Sequence, residues 1–204
     1  MPLQNRVTPF GEILAHPARG GLMGNRGCLH DSKRRLGDRR WAHQAWVACA
    51  LSFKDWQRQV MRPGVYTELF FTDEAVALAA GHRPCGMCRH ADYIAFQQAF
   101  GRARPELGPR PSPGAMNRLL HADRVHSRSP RQRTHEDEFE ALPDEVFFTP
   151  PGQEQPLVRR DGQCLVWSFE GYRPIAARPA GPVTVLTPRV AVDTIRAGYR
   201  PGRA

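Results

Sequence analysis

Two cysteines carry the clearest chemistry in this sequence. Cys85-Gly-Met-Cys88 is a C-x-x-C with Pro84 before it and Gly86 inside it. A tight turn of this kind aims both thiolates at one tetrahedral zinc, with Zn–S bonds of about 2.3 Å. Arg83 and Arg89 flank the pair, and cationic neighbours favour thiolate over thiol. A redox pair and unligated thiols compete with zinc, although a redox C-x-x-C normally opens a helix in a βαβ unit. A structural zinc needs two further ligands. Cys28-Leu-His30 offers them, because residues i and i+2 of an extended segment face the same side. The expected zinc ligands are therefore Cys85, Cys88, Cys28 and His30, with His82 and His121 in reserve. Cys49 and Cys164 fall in apolar strand candidates and read as inert core thiols.

Other ionisable groups suggest acid–base work. Residues 25–31 gather Asn25, Arg26, Cys28, His30 and Asp31 between glycines, and His121 and Asp123 end a short helical pattern. Such groups suit general acid–base catalysis on a nucleic-acid backbone or base, with Glu12 a further candidate acid. If zinc is catalytic, one ligand position must be open to water.

The charge balance narrows the partner. Among 204 residues the formal net charge is +9, and the only lysines are Lys33 and Lys54. Guanidinium forks bind phosphate oxygens and guanine edges bidentately, so nucleic acid is the expected partner, DNA before RNA. Arg26, Arg34, Arg35, Arg83, Arg89, Arg124 and Arg128 are the expected contacts. A merely solvated basic surface is the competing reading, and a zinc-stabilised protein- or small-molecule-binding module is a third. The five cysteines are odd in number, which speaks against a disulfide framework. No apolar run reaches the roughly 20 residues that span a bilayer, and residues 1–6 lack the apolar core of a signal peptide. The expected location is the cytoplasm, with no membrane partner; oligomeric state is not legible.

These residues need a scaffold. Residues 12–15 and 21–23 read as short strands, and 31–43 as a charged loop. Residues 46–53 and 65–71 read as an antiparallel pair around the Pro63-Gly64 turn. Thr72 or Asp73 caps a helix that runs to Ala80 and stops at Gly81; a second helix covers about 89–101. Residues 102–113 read as a linker, 115–123 as a helix, and 124–145 as a basic then acidic flexible segment. Strands follow at 146–148, 156–160, 164–169 and 183–186, with Asp161-Gly162 as a hairpin turn, and a terminal helix spans 189–197. The expected fold is α+β, mostly antiparallel strands with a few short helices around a zinc knuckle. The expected organisation is a zinc-binding core at 1–101, a loop region with a short helix at 102–140, and C-terminal strands and helix at 141–204 packed on the core. No Walker loop, G-x-G-x-x-G or G-x-S-x-G is present.

Residues 70–88, Phe-Phe-Thr-Asp-Glu-Ala-Val-Ala-Leu-Ala-Ala-Gly-His-Arg-Pro-Cys-Gly-Met-Cys, bring in a family. The segment at about 67–89 resembles the second half of the zinc-binding domain of bacterial Ada alkylation-repair proteins. There, too, a strand and a helix ending in Ala-Gly lead into Arg-Pro-Cys-x-x-Cys. The resemblance implies a four-cysteine zinc site, a positively charged DNA-facing surface, and a zinc-bound cysteine that accepts a methyl group from a DNA phosphotriester. Cys85 and Cys88 match the family's second ligand pair. Its first pair, a C-x-x-x-C, has no counterpart; Cys28-Leu-His30 lies upstream. The whole chain also resembles a group of bacterial proteins that carry the same core.

Overall fold

The computed structural model describes residues 1–55, 59–126, 131–176 and 178–203. It is an α+β fold of two six-stranded sheets, mostly antiparallel, with four short helices. The first sheet uses β1 (Gln4–Val7), β2 (Ile13–Ala15), β3 (Leu22–Asn25), β4 (Val47–Ala50), β5 (Leu69–Phe71) and β6 (Arg83–Pro84), in the order β2-β1-β5-β3-β4-β6. The β1–β5 and β4–β6 pairs are parallel; the others are antiparallel.

The expected hairpin between residues 46–53 and 65–71 does not form. β3 separates them, pairing with β4 on one side and β5 on the other. Gly24 makes this possible, since a Cβ there would lie 2.6 Å from the Val47 carbonyl oxygen and 2.7 Å from the Phe71 ring. Residues 65–68 lie outside the strand, and the side chains of Thr67 and Glu68 bind backbone instead. The Thr67 hydroxyl accepts from the Leu29 amide at 2.9 Å, and the Glu68 carboxylate from the Met61 amide at 2.6 Å.

Helix α1 (Glu74–Ala79) follows the sequence closely: Asp73 caps it, accepting from the Val76 amide, and Gly81 leaves it at φ 77°. Helices α2 (His90–Ala103), α3 (Pro113–Arg124) and α4 (Arg189–Arg196) complete the set. Residues 105–107 of the expected linker form a 3-10 turn.

The second sheet comprises β7 (His135–Glu138), β8 (Phe147–Thr149), β9 (Leu157–Arg160), β10 (Gln163–Ser168), β11 (Gly171–Pro174) and β12 (Pro182–Val185), ordered β11-β10-β9-β8-β12-β7. The acidic stretch read as flexible supplies β7, an edge strand paired with β12 from His135 to Glu138. Glu136 and Glu138 face water, as charges on edge strands do, while Asp137 pairs with Arg196 at 2.7 Å. Val7, Leu69 and Phe71 of the first sheet share one apolar cluster with Phe147, Val158 and Trp167 of the second. A second cluster packs α2, α3 and α4 on the second sheet through Phe96, Phe100, Leu120, Phe148 and Ile195. Among the described residues no helix is long and apolar enough to cross a membrane.

Candidate metal centre

The sequence of β6 and its turn sets the site. Pro84 lies in a strand of two residues that runs parallel to β4, with Val47 opposite Arg83 and Ala48 opposite Pro84. The Cys85 amide then donates to the Ala48 carbonyl at 2.9 Å, which docks the turn beside β4. In β4 side chains alternate: Ala48 is buried inward, and Cys49 lies on the opposite face. The result is a group of three thiols, Cys49, Cys85 and Cys88, whose sulfurs all lie within 4.8 Å of one another. It is the only such group of metal-ligating side chains among the described residues.

The surroundings suit thiolates. The Met87 amide donates to Cys85 Sγ at 3.5 Å, and the Ala50 amide donates to Cys88 Sγ at 3.4 Å. Amide donors to sulfur stabilise the charged form and orient it, as outer-shell partners do in metal sites. Cys85 is pulled down to about 4, first because the Cys49 thiol donates to it and then through the amides of the turn. Cys49 is pushed up, first by that same bond to Cys85 and then by burial; burial also raises Cys88. Three sulfurs this close cannot all ionise without a cation between them. A metal ion could be held here by Cys49, Cys85 and Cys88.

Cys28 and His30 are not part of this group. Cys28 is exposed and its thiol donates to the His30 carbonyl at 3.7 Å. His30 is buried, with Nδ1 hydrogen-bonded to Thr67 Oγ1 at 2.6 Å and Nε2 to the Arg62 carbonyl at 3.2 Å, so both ring nitrogens are engaged. Cys28, His30, Asp31, Arg35 and Arg39 instead line an open pocket of about 530 Å³. Cys49, read as an inert core thiol, takes the place expected for Cys28. Its one sequence signal was alternation with Ala48, which marks a face without saying what that face meets. Cys164 is a buried core thiol, as its apolar strand suggested.

The acid–base candidates are dispersed. Asp31 organises its own loop, accepting from the amides of Lys33 and Arg35 and pairing with the Arg35 guanidinium at 2.9 Å. Asp123 accepts from the Val190 amide at 2.7 Å, in the first turn of α4. His121, on the same helix as Asp123, packs edge-on to Trp41 and Trp46. Glu12 is exposed.

Four of the seven arginines assigned to nucleic acid are turned inward. Arg26, Arg83 and Arg124 are buried. Arg89 pairs with the buried Glu74 at 2.7 Å and with Asp92 at 2.8 Å. Trp46 holds two of them, with the Arg26 and Arg124 guanidinium carbons 4.3 and 3.7 Å from its ring centre. Backbone carbonyls of Gly11, Gly81 and Gln44 accept some of their protons, while Arg26 Nη2 and Arg124 Nε find no acceptor. The π face and the carbonyl dipoles make burial of the charges tolerable. Arg34 is partly exposed, Arg35 is exposed, and Arg128 lies outside the described residues.

Comparison with known protein families, curated proteins and solved structures finds no match for this chain.

Proposed function

We propose that this is a zinc-containing nucleic-acid-binding protein, with Cys49, Cys85 and Cys88 holding the ion. The convergence of three thiols within 4.8 Å carries the reading. Thiolates are soft ligands that favour zinc over hard cations such as magnesium or calcium. When bound, zinc would tie β4 to the turn before α2. The nucleic-acid half rests on the net charge of +9, carried almost wholly by arginine. The likeness of residues 67–89 to an Ada-type zinc domain favours DNA, with a role in repair or processing.

Cobalt substitution tests the first half. Tetrahedral cobalt bound by thiolates gives intense visible and sulfur-to-metal absorption, which Cys49→Ser should weaken. Titration of DNA at rising salt tests the second half: affinity should fall steeply, and absence of binding at low salt would remove it.

The ligand count favours a second reading. Three protein ligands leave one corner of a tetrahedron for water, the pattern of catalytic rather than structural zinc. On this reading the protein is a metal-dependent enzyme acting on nucleic acid. Incubation with plain and alkylated DNA, single- and double-stranded, should then yield a changed strand; unchanged substrate throughout would remove it.

A further inference from the structure

Arg89, Arg104, Arg159, Arg160, Arg196 and Arg203 all meet carboxylates. Arg26, Arg40, Arg83, Arg118 and Arg124 are among the arginines that form no ion pair among the described residues. These five sit together. Arg83 Nε donates to Asn117 on α3 at 2.9 Å, next to Arg118. Arg124 Nη2 donates to the Gln44 carbonyl at 2.9 Å, and Arg26 accounts for the Ala42 amide through its own carbonyl. Arg26 Nη2 and Arg124 Nε are buried with no acceptor. Guanidinium charges without counterions project a positive field through the thin layer above them.

That layer is residues 40–44 and the outer face of α3. Trp41 lies in it half-exposed, its ring 5.5 Å from His121 and 6.3 Å from Trp46. Its indole N–H donates to no acceptor among the described residues, whereas Trp46 Nε1 donates to the His43 carbonyl at 2.8 Å and Trp167 Nε1 to Thr72 at 3.1 Å. Arg118, one turn before His121 on α3, and His43 are exposed. An accessible aromatic ring set in a positive field is the pairing that single strands use, one element for the bases and the other for the phosphates.

We infer that single-stranded nucleic acid crosses this face, with one base stacked on the Trp41 indole and its phosphates drawn to Arg40 and Arg118. This rests on the nucleic-acid reading above and adds a strand type and a location. A duplex cannot offer the contact, because its bases are already stacked.

The test uses the full-length, zinc-loaded protein with fluorescein-labelled strands of about 15 nucleotides, a length that spans one such site. Fluorescence anisotropy at low salt compares oligothymidylate, an abasic strand of equal length and a duplex. Wild type should bind oligothymidylate about tenfold tighter than the abasic strand. Trp41→Ala should bring oligothymidylate to the abasic level, and Trp41→Phe, which keeps an aromatic face, should stay within about threefold of wild type. Equal binding of oligothymidylate by wild type and Trp41→Ala would overturn the stacking site and leave the nucleic-acid reading intact. A preference for duplex would overturn the single-strand inference alone. No binding to any of the three strands would overturn both.

Discussion

Asp73 is the residue through which the first helix is joined to the second sheet, and its removal has a calculable cost. Its Oδ1 caps α1 at the Val76 amide (3.0 Å), while Oδ2 accepts from Arg160 at 2.9 Å and from the Tyr172 hydroxyl at 2.7 Å. The carboxylate is 3 % exposed, so none of these bonds is replaced by bulk water when the group is deleted. Loss of the cap alone costs about 1 kcal/mol. The Tyr172 hydroxyl, stranded without its acceptor, adds about 1–3 kcal/mol. Arg160 loses less than an isolated cation would, because Glu145 still holds it at 2.6 Å. Asp73→Ala should therefore lower unfolding free energy by about 2–4 kcal/mol from these two terms, and Tyr172→Phe in the same background should cost little more, since the two share one bond. Urea unfolding followed by circular dichroism, with the four proteins of the double-mutant cycle, measures both. A loss below about 1 kcal/mol for Asp73→Ala, or full additivity with Tyr172→Phe, would refute the junction described here.

Other perturbations follow from the buried cations and histidines. Gly81 stands at φ 77°, and a Cβ there would run into the Arg124 side chain, so Gly81→Ala should cost about 2–4 kcal/mol in urea unfolding through backbone strain and displacement of that guanidinium. Burial, with Arg26 and Arg124 adding to it, holds His82 well below its ordinary value of 6.5. The unfolded chain then binds a proton at His82 that the folded one refuses, so stability is full above pH 6.5 and falls as pH drops below it, by up to about 1.4 kcal/mol per pH unit. Unfolding curves between neutral pH and about 5 should fall more steeply for wild type than for His82→Gln, and parallel curves would contradict this. His30→Ala should reduce stability by about 1–3 kcal/mol, by leaving the Thr67 hydroxyl proton and the Arg62 carbonyl without their partner, while leaving metal content unchanged.

Local chemistry makes much of the fold legible in the sequence. Asp73 and Gly81 bracket α1 as N-cap and stop, and Asp161-Gly162 forms the hairpin between β9 and β10 with both residues at positive φ, 51° and 75°. What stayed hidden was long-range pairing. Nothing near residue 24 indicates that β3 lies between β4 and β5, because the requirement is an absent side chain under Phe71. The metal centre divides in the same way. Cys85 and Cys88 declare themselves by spacing, a local property. Cys49 depends on the two-residue strand β6 pairing with β4, which no periodicity encodes. His30 looked like a ligand beside Cys28, yet Thr67, 37 positions away, takes its Nδ1. Arg26 and Arg124 looked like surface cations, and Trp46 accounts for their burial through contacts between residues 20 and 78 positions apart.

The central claim is that three particular thiols hold one zinc, and metal content of untagged protein purified without chelator tests it most directly. Wild type should carry about one zinc per chain, with Cys49→Ser, Cys85→Ser and Cys88→Ser each losing most of it, while Cys28→Ser and His30→Ala keep it. Zinc retained in Cys49→Ser and lost in Cys28→Ser, or no zinc in wild type, would contradict the account.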